Sequence, residues 1–432
     1  MHAKPRLFRD PIYDTISWDP GTLIGRVVLS LLDTAEVQRL RRIRQLGLSH
    51  LVYHGAEHSR FSHSMGVTWV AHQMMQTVSR WQSIDEDEWA VTLAAALCHD
   101  IGHGPFSHAF EAATRLRHES LSIAMLEGEE SHVNRVLREI DPGFPERVSS
   151  RLKGNDESPP FLREIVSSQL DADRMDYIRR DGHATGVRIG TFDLERVLAM
   201  LDVVDGHLAV HVGATEAVEG YLLARFHMYK QVYLHKTVRA AECMLEAALR
   251  RAGVLRREGR SPSYWPNDAL GVLLEHGEVQ LAGMTLIDDV DVWRCMKAWS
   301  SAEDRVLADL ASGLVRRRLY KTVILSEVQA SSDALVDEVR AFVSQKGYDP
   351  DYHLIWDTSR DSPYRPYKGG AQHAKSIRLT DGGGLVSFIE ERSEVIRMLG
   401  GLEHTQHILC VHPDLKAPIQ RLLSAPTMQP AG

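Results

Sequence analysis

Hydrophobic residues recur every three or four positions through most of the first 255 residues, which is the spacing of helices packed on a core. One such stripe runs from Ser64 to Trp81 and predicts a helix with His63 at its N-terminal end. The next stretch, WAVTLAAALC, is apolar nearly all round, so we predict a buried helix over about residues 87–98. The pattern therefore indicates a mainly α protein.

Two longer helices and a hairpin are predicted beyond these. Residues 161–180 show helical periodicity, and residues 214–252 contain no proline and only one glycine, Gly220, so we predict one continuous helix in each range. Between them LDVVDGHLAVHV places apolar residues on both sides of Asp205-Gly206, a two-residue turn signal typical of a β-hairpin.

The C-terminal third has a different pattern. TVILSEV (322–328) and HLIWDTS (353–359) are predicted strands that flank a helix over about 331–346. We predict a helical core over 1–255, a polar loop over 256–270 and a smaller α+β region over 271–432 packed on the core.

Composition limits the class of protein. The 432 residues are 44% hydrophobic and 25% charged, and no run approaches the roughly 18 apolar residues of a membrane span. The N-terminus lacks the pattern of a signal peptide, and four cysteines stand far apart, so we expect a cytoplasmic protein with reduced thiols. A net charge of −8 gives no general footprint for nucleic acid.

A candidate metal site lies at the ends of three predicted helices. His99 and Asp100 follow the buried helix, where Gly102 breaks it, and His63 and Asp173 belong to two other helices. A histidine at a helix end is more often a capping or surface residue than a ligand. Three such placements and the His-Asp doublet favour a site for Mn, Fe, Zn or a Mg-type ion.

Further histidines surround the doublet. His103, His108 and His118 are candidates for proton transfer, because histidine titrates near neutral pH. Glu111, three residues after His108, has the spacing to orient that ring on a helix. A surface ion pair between His108 and Glu111 is an equally good interpretation of this spacing.

Four segments together carry a family resemblance: HSRFSHSMG, LCHDIGHGPFSHAFE, HES and SQLDADRMDYIRRD. They resemble the HD-domain metal-dependent phosphohydrolases, and more narrowly the deoxynucleoside triphosphate triphosphohydrolase (dGTPase-like) branch. The resemblance implies an HD-domain helical core and hydrolysis of dNTPs to deoxynucleoside and inorganic triphosphate. It implies metal ligation by His63, His99, Asp100 and Asp173, with Mn, Fe, Mg, Co or Zn as the ion.

The resemblance also implies roles around the substrate. His108 is the expected general acid with Glu111 as its carboxylate partner, and His103 and His118 are expected near the phosphates. The expected substrate contacts are Gln45, Leu46, Arg60, Arg174, Tyr177, Asp181, Arg225, Tyr233 and His235. Arg174 stands where a vertebrate member of the branch has lysine, so its contact with phosphate is expected to differ in geometry.

Assembly and regulation are expected from the resemblance alone. It implies a homo-oligomer (dimer, tetramer or hexamer) and an activating GTP or dNTP bound between subunits. The expected effector positions are Asp33, Gln38, Arg41, Arg318 and Lys321, each of which is also a plausible surface residue.

Two alternatives stay open. The first is another HD phosphohydrolase, such as a nucleotide phosphatase or a phosphodiesterase, because the metal ligands determine the reaction rather than the substrate. The second is a non-catalytic nucleotide-binding or nucleic-acid-binding protein of the same fold, which the net negative charge and the intact ligands disfavour.

Overall fold

The computed structural model describes residues 4–361, 376–400 and 404–424, and helices predominate in these ranges. Thirteen helices precede residue 258: α1 (Leu23–Leu32), α2 (Ala35–Arg39), α3 (Arg60–Val78), α4 (Glu86–Cys98), α5 (His108–Thr114), α6 (His118–Glu127), α7 (His132–Ile140), α8 (Phe144–Lys153), α9 (Pro160–Val166), α10 (Ala172–Thr185), α11 (Leu194–Ala199), α12 (Thr215–Met228) and α13 (Lys236–Arg257). The helices that follow in the described chain are α14 (Ala269–His276), α15 (Leu281–Met284), α16 (Asp289–Trp299), α17 (Arg305–Val315), α18 (Glu327–Ala330), α19 (Asp333–Gln345), α20 (Ile389–Arg392), α21 (Glu394–Gly400) and α22 (Lys416–Ser424). The predicted mainly α class is confirmed.

Three small sheets accompany the helices in the described ranges. Their strands are β1 (Arg6–Asp10), β2 (Asp14–Trp18), β3 (Leu201–Val204), β4 (His207–His211), β5 (Lys321–Leu325), β6 (Leu354–Asp361), β7 (Arg378–Thr380), β8 (Leu385–Phe388) and β9 (His404–Val411). β1 and β2 form a hairpin, β3-β4-β7-β8 form a mixed sheet, and β5-β9-β6 form an antiparallel sheet.

Helices α3, α4 and α10 form the centre of the molecule. From Ala90 to Cys98 every residue of α4 is buried, as the sequence pattern predicts. α3 packs against both α4 and α10. The predicted apolar stripe is wrong at Trp81. Helix α3 ends at Val78, and the Trp81 side chain is 61% exposed.

The prediction of one continuous helix over 161–180 is wrong, because this range contains two helices. α9 ends at Val166, and α10 begins after Asp171, whose Oδ1 accepts a hydrogen bond from the Arg174 amide at 2.8 Å. An aspartate whose side chain caps an amide in this way starts a helix, so the two apolar stretches fold as separate elements.

The predicted helix over 214–252 is also interrupted. α12 gives way to a π-helical turn at Tyr229–Tyr233, and His235 caps the start of α13 through its Nδ1 atom, which accepts from the Thr237 amide at 3.2 Å. A π-turn shifts the register of the following side chains and often occurs at functional sites.

The predicted hairpin is present as β3 and β4. Asp205 and Gly206 both have positive φ, 51° and 75°, as a two-residue hairpin turn of the favoured type requires. β5, β6 and α19 match the C-terminal pattern within a few residues. The pairing of β4 with β7 and of both β5 and β6 with β9 joins distant segments that local periodicity does not connect.

Two groups of buried apolar residues organise the described chain. The principal group extends from Ile16 to Cys410 and includes α16 and α17. A smaller group lies between the β5-β9-β6 sheet and helices α19 and α22. The division at residues 255 and 270 stays a prediction.

No helix in the described ranges is both long and apolar enough to cross a bilayer.

Candidate functional site

Three side chains converge where α3, α4 and α10 meet. His63 lies in the first turn of α3, His99 follows the last residue of α4, and Asp173 lies in the first turn of α10. Their donor atoms all lie within 4.8 Å of one another. Asp173 Oδ1 is 3.1 Å from His63 Nε2 and 3.5 Å from His99 Nε2.

The Nδ1 atoms of His63 and His99 form hydrogen bonds that orient the two rings. His63 Nδ1 hydrogen-bonds Asp176 at 2.8 Å, and His99 Nδ1 hydrogen-bonds the Ala96 carbonyl at 2.8 Å. Both Nε2 atoms are buried without a well-aligned hydrogen bond. Imidazole nitrogens fixed in this way beside a carboxylate are the donor set that a divalent first-row metal takes, so the residues present fit a metal ion.

Asp100 lies beside these three side chains and also forms an ion pair with Arg60. Its carboxylate is 3.4 Å from His99 Nε2 and 4.0 Å from His63 Nε2. Arg60 pairs with its Oδ2 and also contacts the Ser107 hydroxyl. The structure thus brings the four predicted metal ligands together, with Arg60 at their edge.

Two of the three predicted proton-transfer histidines, His103 and His118, lie on the other side of Asp100. His103 Nε2 is 3.4 Å from Asp100 Oδ1, and the His103 ring stacks on His118 with centroids 3.7 Å apart. Glu111 Oε1 accepts from the amide of His118 at 2.7 Å and pairs with its Nδ1 at 2.6 Å. The side chain of His108 lies outside the described residues, so its pairing with Glu111 stays a prediction.

Burial and neighbouring charge shift the pKa values of these groups in opposite directions. Burial lowers the pKa of His63, but Asp173 and Asp176 outweigh it and raise that pKa to about 10. Burial, with Arg60 adding to it, lowers the pKa of His103 to about 3. His63 therefore lies in an anionic pocket that attracts a cation, whereas His103 is a neutral imidazole at pH 7.

A cavity of about 290 Å³ opens beside Arg60. Six of the nine predicted substrate contacts line it: Gln45, Leu46, Arg60, Tyr177, Asp181 and Tyr233. Residues from the turn before α3, from α10 and from the π-turn after α12 therefore meet around one space.

A polar network orders one wall of this cavity. Buried Asp181 pairs with His58 at 2.7 Å and accepts a hydrogen bond from the Tyr233 hydroxyl at 2.8 Å. The Tyr177 ring meets Tyr233 edge to face with centroids 5.8 Å apart and lies 6.5 Å from the His63 ring. The tyrosines are thus held rigidly beside the donor group.

Arg174, Arg225 and His235 do not belong to the described lining of the cavity. Arg174 pairs with Asp171, and Arg225 donates to Gln169 Oε1 at 3.1 Å. The ring of His235 packs against Tyr53 while its Nδ1 caps α13. The substrate roles of these three residues stay predictions. For His235, capping of α13 is by itself a sufficient structural role.

The backbone next to Arg60 is strained. Phe106 and Ser107 have consecutive positive φ values of 54° and 51°, which non-glycine residues rarely adopt. Asp289 of α16 accepts from the Phe106 amide at 3.1 Å and from the Arg44 amide at 3.0 Å. Asp289 therefore joins the strained turn to the segment before α3 that also lines the cavity.

A buried cation holds the turn after the His-Asp doublet. Arg39 is fully buried and donates to the carbonyl oxygens of Ile101 and His103, both at 2.8 Å, and of Ile287 at 2.9 Å. These three bonds attach the turn to α2 and to the segment before α16.

The predicted effector positions fall into two groups. Gln38 accepts from Arg41 Nε at 2.9 Å, and Arg41 covers the Phe61 ring at 3.5 Å, while Asp33 pairs with Arg6 at 3.3 Å. Arg318 and Lys321 are exposed around the start of β5. Within the described chain no hydrogen bond or ion pair joins the two groups, so their common role stays a prediction.

Sequence reasoning assigned no role to the residues that position the site, although it places Asp176 at helical neighbour spacing from Asp173. Asp176 lies three residues after Asp173, and this spacing on one helix face is a signal that could have identified it. Arg39 and Asp289 act through backbone groups far away in the chain, so no local pattern marks them.

The fold and the converging donors define a helical protein with a group of His and Asp side chains that could hold a divalent metal. Two family models match the chain: the HD domain over residues 60–180 and the HD associated region over residues 192–258. Among curated relatives, the uncharacterized protein YwfO of Bacillus subtilis is 34% identical over 433 residues, covering 98% of both chains.

Further comparisons agree with these models. The deoxynucleoside triphosphate triphosphohydrolase SAMHD1 of Xenopus laevis is 30% identical over 307 residues, which are 60% of this chain and 48% of that protein. A solved phosphohydrolase from Bacteroides thetaiotaomicron is 31% identical with a TM-score of 0.83, covering 94% of this chain and all of that one. A hypothetical protein from Aquifex aeolicus, 24% identical with a TM-score of 0.74, shows the same fold. The chain belongs to the HD-domain phosphohydrolases.

Proposed function

We propose that this protein hydrolyses deoxynucleoside triphosphates to a deoxynucleoside and inorganic triphosphate with the help of a divalent cation. The observation that carries the proposal is the cavity lined by Tyr177, Asp181 and Tyr233 directly beside the metal-donor group. An HD enzyme that acts on any phosphoester needs the donors, but it has no need of an ordered wall that fits a sugar.

The sugar would lie against this wall. Asp181 is buried and already accepts from Tyr233, yet a carboxylate has about four acceptor sites, so it can also accept a 3′ hydroxyl. The Tyr177 ring, which packs edge to face on Tyr233, would lie against the sugar and disfavour a 2′ hydroxyl. Gln45 and Leu46 line the same cavity and would contact the sugar from another side.

The phosphates would lie near the cations. Arg60 lines the cavity at its metal end, and its planar guanidinium suits phosphate oxygens. His103 and His118, whose ring Glu111 orients, are assigned to positions near the phosphates. We assign Arg174 and Arg225 to the outer phosphates and His108 to protonation of the departing oxygen.

The metal would be held by His63, His99, Asp100 and Asp173, and Mn, Fe, Mg, Co and Zn are the candidates. When bound, such an ion supplies a positive charge that offsets charge on phosphate and lowers the pKa of a water. The buried Nε2 atoms of His63 and His99 support this ligand assignment.

Product analysis tests the reaction. Chromatography of a dNTP reaction should show deoxynucleoside and triphosphate in equal amounts. Asp100→Ala should reduce the rate at least ~1,000-fold, because it removes a ligand and the partner of Arg60. Asp337→Ala, on the exposed face of α19, is the matched control with wild-type rate. Release of monophosphate with pyrophosphate, or of diphosphate, would contradict the proposal.

We further propose that a GTP or dNTP effector binds at Asp33, Gln38, Arg41, Arg318 and Lys321 between subunits of an oligomer. Arg318 and Lys321 are exposed, which supports contact with a nucleotide bound between two subunits. Gel filtration with and without nucleotide should show a change in mass, accompanied by activation. A constant mass with activity independent of a second nucleotide would remove this proposal.

A further inference from the structure

The carboxylate of Asp181 needs a defined orientation if it is to accept a hydrogen bond from a sugar hydroxyl. Asp181 lines the cavity, and its side chain is only 2% exposed. The torsion that turns a carboxylate about its Cβ–Cγ bond has broad minima, so the side chain does not by itself fix the plane of its two oxygens. The neighbours of Asp181 therefore decide where its free acceptor sites point.

Two donors hold this carboxylate, one on each oxygen. His58 Nε2 hydrogen-bonds Oδ1 of Asp181 at 2.7 Å, and the Tyr233 hydroxyl donates to Oδ2 at 2.8 Å. A single donor would leave the carboxylate free to turn, whereas donors on both oxygens define its plane. A carboxylate has about four acceptor sites, so each oxygen keeps one for a ligand in the cavity.

Backbone contacts fix the position of His58 in the loop before α3. The carbonyl oxygen of His58 accepts from the Gln45 amide at 3.0 Å, in a short stretch of antiparallel pairing. The same loop lies against α10, because a methyl group built on Gly55 would be 2.5 Å from the carbonyl oxygen of Ala184. Glycine at position 55 therefore lets the loop approach α10 closely enough for His58 to contact Asp181.

His58 does not belong to the described lining of the cavity, so it reaches a ligand there only through Asp181. As the donor to a carboxylate, Nε2 carries the proton of the neutral ring, and Nδ1 is then an acceptor. This Nδ1 atom is buried and has no hydrogen-bond partner within the described chain. A buried polar atom without a partner lowers stability, so the stability of the fold does not by itself account for a histidine here.

We propose that His58 is a positioning residue that determines specificity for the 3′ hydroxyl of the substrate. It fixes the plane of the Asp181 carboxylate, and the free acceptor sites of that carboxylate then meet the hydroxyl group. His58 itself makes no contact with the substrate. The inference rests on the proposed function, which places the sugar against Asp181 and Tyr233.

The test compares kcat/KM for each dNTP with that for its 2′,3′-dideoxy analogue (ddNTP), which lacks the 3′ hydroxyl. The wild type should favour the dNTP by at least ~100-fold, because a site built to bond a hydroxyl rejects the analogue without it. His58→Phe removes the donor and keeps an aromatic ring. It should lower the dNTP/ddNTP ratio at least ~10-fold, since a misplaced acceptor loses much of its bond to the hydroxyl.

Two polar variants separate the donor from the ring. His58→Gln places an amide N–H near the position of Nε2, so it should restore most of the wild-type ratio. His58→Asn is too short to reach Asp181 and should lower the ratio, which keeps the test decisive if His58→Phe folds poorly.

His207→Phe is the matched control. His207 forms a similar pair with Glu164 at 2.8 Å, but both residues are outside the described lining of the cavity. This variant should keep the wild-type dNTP/ddNTP ratio. A fall in His207→Phe as large as that in His58→Phe would contradict a specific role for His58.

A double-mutant cycle tests whether His58 acts through Asp181. Asp181→Ala removes the carboxylate, so adding His58→Phe to it should change the dNTP/ddNTP ratio by no more than about twofold. A further large fall in the double variant would mean that His58 acts by another route. An unchanged ratio in the single variants, with only a lower melting temperature, would mean that His58 is purely structural. Either result would overturn the inference.

Product analysis and equilibrium binding separate this inference from the proposed function. EDTA-treated wild-type protein should bind dNTP more tightly than ddNTP, and His58→Phe should reduce that difference. If the ratio falls in His58→Phe but the product is not triphosphate, the proposed reaction fails and the inference stands. If triphosphate is released from dNTP and ddNTP at equal rates by the wild type, the inference is overturned and the reaction stands.

Discussion

Individual residues behind the donor group determine its geometry. His63 could rotate about its side-chain bonds, but Asp176 fixes Nδ1 and directs Nε2 toward Asp173. Arg180 in turn contacts both oxygens of Asp176, at 2.8 and 2.9 Å, and pairs with Asp10. The ring of His63, a predicted metal ligand, is therefore positioned by a buried chain of alternating charges.

Asp176→Asn is predicted to weaken metal binding. The amide is neutral and satisfies Arg180 poorly, so the His63 ring loses its orienting partner. We expect metal affinity to fall ~10–100-fold, measured by titration of metal-depleted protein. Glu195→Gln removes the exposed partner of Arg179 and serves as the control with unchanged affinity. Equal affinity in wild type and Asp176→Asn would show that the ring is held without this contact.

A second residue-scale prediction concerns pH and Asp289. Burial raises the pKa of this carboxyl to about 6, although the Arg44 and Phe106 amides and the Arg44 charge oppose it, while Asp288 adds to it. The folded state therefore holds the proton more tightly than the unfolded chain. The resulting stability is fully present below about pH 4 and is lost as the pH rises through about 6, by about 3 kcal/mol.

Asp289→Asn removes this titration. The stability of the Asn variant relative to wild type should therefore increase from pH 4.5 to pH 7.5, measured as the difference in melting temperature at each pH. A difference that stays constant over this range would contradict the raised pKa. The Asp291→Asn variant is not a suitable control, because Asp291 accepts from the amide of Asp288.

At the scale of elements, the distance between α3 and α10 decides whether the donors meet. A methyl group built on Gly66 of α3 would lie 1.9 Å from Asp176 Oδ1 and 2.3 Å from a nitrogen of Arg180. Only glycine allows these helices to approach so closely. The glycine thus serves packing between helices rather than backbone flexibility.

Gly66→Ala is predicted to separate α3 from α10. We expect destabilisation of about 1–3 kcal/mol from overpacking, together with weaker metal binding, measured by denaturation and metal titration. Gly220→Ala is the matched control, because Gly220 lies in α12 with no atom within 4 Å of an added Cβ. That variant should gain roughly 0.5–1 kcal/mol from helix propensity. Gly66→Ala with wild-type stability and metal affinity would show that α10 adapts without cost.

At the scale of the whole molecule, two apolar groups of different size support the fold. The principal group includes all of the buried face of α4, whereas the group beneath the β5-β9-β6 sheet has nine buried apolar residues within the described chain. The smaller group buries less apolar surface, so it contributes less free energy of stabilisation.

Hydrogen exchange is predicted to follow this difference. Peptides from Leu93–Cys98 should exchange only through global unfolding, whereas peptides from β5 and β6 should exchange faster through local opening. Exchange measured by mass spectrometry tests the order. Slower exchange in β5 than in α4 would mean that the smaller group is the more stable one.

The sequence by itself determined the elements whose cause is local. A continuous apolar run makes α4 a buried helix, Asp205-Gly206 makes a hairpin turn, and the His-Asp doublet with its neighbouring motifs indicates the family. These features depend on side chains a few positions apart, and such spacing is visible in one dimension. The break at Tyr229–Tyr233 escaped prediction because its residues are compatible with a continuous helix.

Only the tertiary structure decided which groups support the site. Arg39 and Asp289 bind backbone atoms about 60 and 180–250 residues away, and Arg239 reaches Asp357 across 118 residues. Such partners meet because burying apolar surface brings distant helices together, and a hydrogen bond formed inside that interior depends on exact positions rather than on sequence spacing. The candidate metal donors could thus be predicted from motifs, and the spacing of Asp176 from Asp173 marks one residue that orients them, but the partners that come from distant segments could not be predicted.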